Sequence, residues 1–360
     1  MENKEYLTKQ LISYIGNKRK LLDFIGEALG IIKKDLNKNK LNILDGFSGS
    51  GVVSRYLKQH ANILYSNDFE YYSYIIGKCY LSNICDINIK EIKEINNFLN
   101  INKYEYKNGI IRNLYSPKDD KNIIQDDRVF YTNENAIIID SIRKNIDNFN
   151  KDLHQYFLGP LLSEASIHVN TAGIFKGFYK NSKTKTGQYG GNAENCLGRI
   201  KGEIILPNPI FSNYNCEWKM FNEDINKLNI PEVDVAYYDP PYNQHPYGSN
   251  YFMLNIIAEN KVNNNISKIS GIPNDWKKSA YNKYNDAIYS FKLLIENTKS
   301  KYIILSYNKD GIIPQNELID IMSKYGSINI LEKDYTTYRG SRNRNNLKNT
   351  IEYLYILKKN

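Results

Sequence analysis

The stretch "KLNILDGFSGSGVVSRYLKQH", residues 40–60, decides the fold of this 360-residue chain. It begins as a short apolar strand that ends at Asp45, passes through a glycine-rich turn, and continues as a helix from about Val52. A second strand, "ANILYSND", ends at Asp68, and apolar spacing predicts another helix over residues 71–84. Strand, glycine turn, helix, strand and acid form one half of a doubly wound α/β sheet.

The same α/β pattern returns late in the chain, in "VDVAYYD" (233–239), "SKYIILSYN" (300–308) and "IEYLYILKK" (351–359). Residues 86–220 differ, because helical patches there alternate with charged or glycine-rich stretches and no regular βα alternation is seen. We therefore expect an α/β domain made of residues 1–85 and 221–360, interrupted by a mostly helical inserted domain over 86–220. The most linker-like segment is 261–285.

The composition limits the class of partner. A formal net charge of +9 favours a polyanion such as nucleic acid, although a merely basic soluble surface explains the charge equally well. The four cysteines form no CxxC pair and the four histidines are scattered, so we expect no metal site. With no signal peptide and no long apolar run, the sequence predicts a cytoplasmic protein without membrane association.

The glycine turn "LDGFSGSG" excludes two phosphate-binding loops. A Walker loop ends in GK[ST], whereas Val52 follows Gly51, and the dinucleotide fingerprint is only partly matched because Ser54 occupies its third glycine position. Gly49 and Gly51 permit close approach of a nucleoside-type cofactor, and Asp68 is placed to accept hydrogen bonds from ribose hydroxyls. A tight turn without any ligand remains the alternative.

The second motif is "DPPY", residues 239–242, at the end of an apolar strand. In open α/β sheets, ligands bind beyond the carboxyl ends of strands. Pro240 and Pro241 stiffen the turn and remove two backbone donors, so the Asp239 carboxylate and a neighbouring carbonyl offer two fixed acceptors. These complement the two N–H donors of an exocyclic amino group, and Tyr242 offers a face on which a base stacks. A proline turn with a buried tyrosine explains "PPY" but not the acid.

Together, "DGFSGSG" (45–51) and "DPPY" resemble the two signature motifs of S-adenosylmethionine-dependent amino-methyltransferases, and "YIGNKRKLL" (14–22) resembles the motif that opens the Dam-like group. The motif order is that of group alpha DNA adenine-N6 methyltransferases, whose insertion carries target recognition. The resemblance implies a Rossmann-like methyltransferase sheet with helices on both faces, S-adenosylmethionine as cofactor and double-stranded DNA as substrate. It is closest to modification methyltransferases of bacteria or phages, which implies a cognate restriction endonuclease as functional partner.

The resemblance also implies roles for individual positions. Asp239, Pro240, Pro241 and Tyr242 are the expected catalytic set, and Tyr307 in "ILSYN" is a second wall for the target base. The expected cofactor pocket consists of Tyr14, Lys18, Asp45, Phe47, Gly49, Gly51, Asp68 and, from "FNEDINKL" (221–228), Asp224.

Two basic segments are candidates for DNA contact. "GIFKGFYKNSKTKTGQYGG" (173–191) interleaves Lys176, Lys180, Lys183 and Lys185 with aromatic residues and glycine, as suits a hairpin along phosphates. It overlaps "HVNTAGIFKGFYK" (168–180), which is similar to the DNA-contacting hairpin of Dam-like enzymes. "YRGSRNRN" offers Arg339, Arg342 and Arg344 near the final strand. Solvated loops are the alternative for both.

The expected reaction is methyl transfer to N6 of an adenine flipped out of duplex DNA. No cysteine follows a proline, which argues against carbon-5 cytosine chemistry. The remaining alternatives are an RNA amino-methyltransferase, a DNA cytosine-N4 methyltransferase and a catalytically inactive nucleic-acid-binding module. His245 follows the motif closely but is expected to be structural, because the amino proton leaves to water after transfer.

Overall fold

The computed structural model describes residues 2–191, 196–336 and 349–360. Within these residues the chain forms a seven-stranded sheet. Its strands are β1 (Leu41–Asp45), β2 (Ala61–Asn67), β3 (Glu217–Phe221), β4 (Val233–Tyr238), β5 (Ser300–Asn308), β6 (Gly326–Thr336) and β7 (Asn349–Lys359). The α-helices are α1 (Lys4–Thr8), α2 (Leu22–Leu36), α3 (Val52–Lys58), α4 (Tyr71–Tyr80), α5 (Ile89–Ile101), α6 (Ile110–Tyr115), α7 (Asn133–Ile146), α8 (Gln155–Ile167), α9 (Leu197–Lys201), α10 (Tyr247–Asn250), α11 (Phe252–Glu259), α12 (Tyr284–Asn297) and α13 (Gln315–Met322).

The strand order β3-β2-β1-β4-β5-β7-β6 contains a reversal between β1 and β4. From β1 the chain steps outward through β2 and β3, then returns to the other side of β1 with β4 and continues to β5, all in parallel. β7 inserts antiparallel between β5 and β6. The reversal brings the carboxyl ends of β1 and β4 together, with Asp45 opposite Tyr237. Such a point is where doubly wound sheets bind ligands.

Alternation along the buried strand β4 explains the layers on the two sheet faces. Val235 and Tyr237 pack with the apolar residues of α2 and α3, whereas Ala236 and Tyr238 pack with those of α12 and α13. Because both faces are covered, every residue of β4 is buried. The predicted α/β sheet with helices on both faces is confirmed.

The helices α5 to α8 lie between β2 and β3 in sequence and share an apolar core with α4 and α11. The predicted helical patch over residues 135–160 divides into α7 and α8. The expected insertion boundary at residue 220 falls inside β3, whose residues belong to the sheet. The existence of a separate inserted domain stays a prediction.

The sequence did not reveal β3 and β6, which are the two edge strands of the sheet. An edge strand is paired on one side only, so its apolar pattern is weak, and in β3 only Met220 is fully buried. Among the described helices, none combines the length and apolar character that a membrane span requires.

Candidate active site

A cleft that is partly open to solvent lies at the reversal between β1 and β4. Three segments far apart in sequence form its walls: the N-terminal motif, the glycine loop after β1 and the acid–proline turn after β4. The predicted site residues found in its lining are Tyr14, Lys18, Phe47, Gly49, Asp68, Asp224, Asp239, Pro240, Pro241 and Tyr242. The structure thus brings most of the predicted site into one cavity.

The glycine loop is held in shape by Asp68 at the end of β2 and by the Tyr14 ring. Gly49 has a φ of 51° and Gly51 a φ of 74°, both in the left-handed region that favours glycine. The Gly49 N–H donates to Asp68 Oδ2 over 2.7 Å, which ties the loop to the end of β2. A Cβ at Gly49 would lie 2.7 Å from the Tyr14 ring, so the absence of a side chain also lets the N-terminal motif close against the loop.

Tyr14 is the anchor of the N-terminal motif. Its ring stacks on Tyr247 and on Tyr251, with ring centroids 4.9 Å apart in each case. The backbone of Ile15 is clamped by the same two residues, because the Tyr247 hydroxyl donates to its carbonyl and its N–H donates to the Tyr251 hydroxyl. The wall between glycine loop and acid–proline turn is therefore rigid.

Two of the predicted cofactor residues support the loop from behind and are absent from the described cleft lining. Asp45 is fully buried, and its Oδ2 accepts a 2.5 Å hydrogen bond from the Ser54 hydroxyl. Burial raises the pKa of Asp45 to about 7. Gly51 begins α3. Their proposed contribution is to shape the loop.

The acid–proline turn contains a buried ion group. The Nζ of Lys18 lies 3.1 Å from Asp239 Oδ1 and 2.8 Å from Glu352 Oε1. Burial raises the pKa of Asp239 to about 7, with Lys18 acting to lower it and Glu352 to raise it. Burial alone would lower the pKa of Lys18, but the two carboxylates raise it well above its ordinary value. Sequence reasoning missed Glu352, whose only signal is an acid inside the apolar strand "IEYLYILKK".

Tyr242 forms the wall beside Asp239. Its ring lies under the Lys18 ammonium, 5.3 Å from Nζ to the ring centroid, and its carbonyl accepts a hydrogen bond from the Ile312 N–H. Tyr307 differs from its expected position as a second wall: it is buried behind Tyr242 and meets that ring edge-on at 6.3 Å. Its hydroxyl accepts a bond from the Ile313 N–H, so Tyr307 supports Tyr242.

Asp224 and Phe47 lie at the other end of the cleft, beside a residue that the sequence did not single out. The Phe47 ring meets the Tyr281 ring edge-on at 5.2 Å. The Tyr281 hydroxyl donates to Asn226 Oδ1, and the Asn226 N–H donates to Asp224 Oδ1. Tyr281 belongs to the segment 277–282, which lines the cleft although its composition is typical of a linker.

Unpartnered polar atoms in the cleft indicate that it is built for a polar ligand. Ser48 Oγ and Asn282 Oδ1 are buried, line the cleft and have no hydrogen-bond partner among the described residues. The Asn282 amide is fixed because its Nδ2 donates to the Asn243 carbonyl. Both atoms are therefore available to hydrogen-bond a polar ligand in the cleft. No cluster of His, Cys, Asp or Glu suited to a metal ion occurs in the described part of the chain.

The predicted DNA-contacting lysines share one exposed hairpin. Lys180 bridges Gly187 in antiparallel fashion, and Lys176, Lys183 and Lys185 are likewise exposed. The start of the hairpin is bonded to α10, since the Phe175 N–H donates to the Asn250 carbonyl. The hairpin is therefore attached to the helix that follows the acid–proline turn. Arg339, Arg342 and Arg344 lie outside the described residues.

Fold and cleft together define a Rossmann-like α/β protein in which a glycine loop and an acid–proline turn line one cleft. The sequence model of the D12 class N6 adenine-specific DNA methyltransferases matches residues 14–321, and the chain belongs to this family. It is 27% identical to the type II methyltransferase M.CviAII of Paramecium bursaria Chlorella virus 1, covering 96% of this chain and 98% of that protein. It is 28% identical to M.NlaIII of Neisseria lactamica, covering 97% and 99%.

A third relative is longer than this chain. The type II methyltransferase M.FokI of Planomicrobium okeanokoites is 28% identical over 96% of this chain but only 52% of its own length. The family confirms the predicted adenine-specific DNA methyltransferase and argues against the RNA and cytosine-N4 alternatives. The reaction requires a methyl donor.

Proposed function

We propose that the enzyme transfers a methyl group from S-adenosylmethionine to N6 of a flipped-out adenine at a specific site in duplex DNA. The observation that carries the proposal is the meeting of Asp239, Pro240 and Tyr242 with the glycine loop in one cleft. The target amino group is otherwise inaccessible inside a duplex, so the base must leave the stack.

The cofactor would lie along the glycine loop. Gly49 and Tyr14 would hold its methionine end, Asp68 would accept hydrogen bonds from ribose hydroxyls, and Phe47 with Asp224 would border its adenine. All five residues line the cleft. Both Asp68 oxygens already accept a backbone N–H, but a carboxylate oxygen accepts a second bond. When bound, the cofactor supplies a methyl group activated on sulfur.

The chain's own residues would hold and polarise the target amine. The Asp239 carboxylate and the Pro240 carbonyl accept its two N–H bonds, which increases electron density on nitrogen and orients its lone pair. The two acceptors would thereby hold the nitrogen towards the methyl group that the bound cofactor would supply. The surplus proton then leaves the nitrogen for water. Tyr242 stacks on the flipped base, with Tyr307 behind it.

One experiment tests the activity and finds the site. Genomic DNA from cells that express the protein is analysed by long-read sequencing, beside cells that express Asp239→Ala. We expect N6-methyladenine in one short sequence context with the wild type and none with the variant. Methylation spread over unrelated contexts would contradict site specificity. Purified protein is incubated with labelled S-adenosylmethionine and duplex DNA to test the methyl donor. Methylated DNA that carries no label would exclude S-adenosylmethionine as the donor.

Gly49→Ala is expected to weaken S-adenosylmethionine binding about tenfold or more. A left-handed backbone costs an L-residue about 1–2 kcal/mol, and the new Cβ would press on the Tyr14 ring. Calorimetric titration measures the affinity. Gly30→Ala on α2 is the matched control, since a Cβ there meets nothing within 4 Å. Equal affinity of both variants would exclude the glycine loop as the binding site.

The hairpin lysines are proposed to contact phosphates, with residues 86–220 providing target recognition. Replacing Lys176, Lys180, Lys183 and Lys185 by Gln should flatten the plot of log affinity against log salt by roughly 0.9 per lost contact. Fluorescence anisotropy on a labelled duplex at several salt concentrations measures this slope. Lys34→Gln on α2 is the control, and a hairpin variant with the same slope as this control would argue for a solvated loop.

A protective role against a cognate restriction endonuclease is proposed from the relatives, which are named type II methyltransferases and modification methylases. Such a role requires complete methylation of every site in the host genome. Plasmid DNA from expressing cells should resist an endonuclease that cuts the same recognition sequence when it is unmethylated. Partial cutting at saturating expression would count against it.

A further inference from the structure

The most connected group outside the predicted site is the carboxylate of Glu352 on β7. Its side chain is buried, with 2% exposure, on the strand that pairs antiparallel with β5. Its Oε1 accepts a hydrogen bond of 2.8 Å from the Lys18 ammonium and another of 2.8 Å from the Ser306 hydroxyl. A buried carboxylate is rare unless it is paired, and here its partner is also the partner of Asp239.

We infer that Glu352 is a positioning residue for the methyl-transfer reaction, acting through Lys18 to leave the Asp239 carboxylate only partly neutralised and so a strong hydrogen-bond acceptor. Lys18 shares one ammonium between two carboxylates, at 3.1 Å from Asp239 and 2.8 Å from Glu352. Its shorter contact is with Glu352, so Asp239 is only partly neutralised. A less neutralised carboxylate is the better acceptor for the target amino group.

Glu352 is absent from the described cleft lining and acts on the reaction only through its neighbour. Without its charge, Lys18 would pair with Asp239 alone in a buried, neutral pair. The Ser306 bond fixes the Glu352 side chain, and pairing of residue 352 with Asn308 of β5 fixes its backbone. The ammonium is thereby held in one place between the two acids.

Other charged or titratable groups also face Asp239. They are Lys18 from the N-terminal motif, Glu352 from β7, Asp45 from β1, Tyr237 from β4 and Tyr247 from α10. Burial raises the pKa of both tyrosines well above 10, so they stay neutral in the relevant range. Asp45 and Asp239 both have a pKa of about 7. Burial is the main cause of the raised pKa of Asp45, and the charges that raise it further are those of Asp239 and Asp68. Glu352 therefore acts on the pH profile through Asp239.

The role of Glu352 rests on the proposed function of Asp239, and the sign of its effect follows from the charges. The pKa of Asp239 is about 7, so the transfer rate should fall as pH drops through this value. The negative charge of Glu352 contributes to that raised pKa. Glu352→Gln removes the charge but keeps an acceptor for Lys18. It should move the acid limb to lower pH by at least about half a unit and lower the plateau rate severalfold.

The pH midpoint of the acid limb is measured from single-turnover transfer rates between about pH 5.5 and 9, at saturating DNA and S-adenosylmethionine. Glu352→Asp retains the charge and should return the limb towards wild type. Asp35→Asn is the matched control, because Asp35 of α2 forms an ion pair at the surface with Lys358, which lies on β7 like Glu352. Cofactor affinity by calorimetry should change less than twofold in Glu352→Gln. An acid limb that coincides with wild type would overturn the inference.

Ser306→Ala provides a second test if Glu352→Gln does not fold. Loss of the hydroxyl donor leaves Glu352 to compete more strongly for Lys18, so the limb should move to higher pH. A limb that stays in place or moves down contradicts the inference. The proposed role of Asp239 and the proposed role of Glu352 fail in different ways. If the Asp239→Ala variant still transfers methyl groups, Asp239 itself has no catalytic role. An inactive Asp239→Ala with unmoved Glu352→Gln and Ser306→Ala profiles removes only the role of Glu352.

Discussion

Asp239→Ala is expected to lower the single-turnover rate of methyl transfer by about a thousandfold. The substitution removes one of two fixed acceptors for the target amine, and loss of one preorganised hydrogen-bonding group from such a site costs about a hundred- to a thousandfold. The fold should survive because Lys18 keeps Glu352 as a buried partner. Transfer of labelled methyl groups to a duplex substrate measures the rate, and calorimetry should show cofactor affinity within a few fold of wild type.

Asp234→Ala is the matched control, because Asp234 is a buried acid at the opposite end of the same strand. Its carboxylate accepts hydrogen bonds from the Lys38 ammonium and the Asn42 N–H. Its loss should lower the free energy of unfolding by about 1–3 kcal/mol and leave transfer nearly unchanged. If Asp239→Ala transferred methyl groups at the rate of this control, the carboxylate would not be the acceptor.

Tyr242→Ala is expected to lower transfer by roughly ten- to a hundredfold, whereas Tyr242→Phe should stay within about threefold of wild type. Stacking of a base on an aromatic ring is worth about 1–3 kcal/mol, and Phe keeps the ring. Single-turnover rates measure the effect on transfer. The fluorescence of 2-aminopurine at the target position measures flipping, and should show a smaller flipped population in Tyr242→Ala alone.

Tyr289→Ala is the control for loss of an aromatic ring, since Tyr289 is 66% exposed on α12. It should match wild type in both measurements. Equal losses in Tyr242→Ala and Tyr242→Phe would assign the effect to the hydroxyl and contradict stacking. Tyr307→Ala should give an intermediate loss, because Tyr307 supports the Tyr242 ring from behind.

The sequence alone determined the local elements on which the site depends. The strand ending at Asp45, the glycine turn and the strand over residues 233–239 were each predicted from short-range patterns. Each is present, the last of them as β4, which ends at Tyr238. Apolar periodicity and glycine conformation depend on neighbours in the chain, so one sequence reveals them. The motif order also gave the class of enzyme, which the family match confirms.

Only the tertiary structure decided which distant residues complete the cleft. Asn282 and Tyr281 come from a segment with linker-like composition, and Tyr307 meets the Tyr242 ring edge-on but does not belong to the described cleft lining. Lys18 and Glu352, 334 positions apart, meet because β7 inserts antiparallel beside β5. An acid within an apolar strand is read locally as a solvent-facing residue. Its burial, and its charge sharing with Asp239 through Lys18, follow from strand order, which no local pattern encodes.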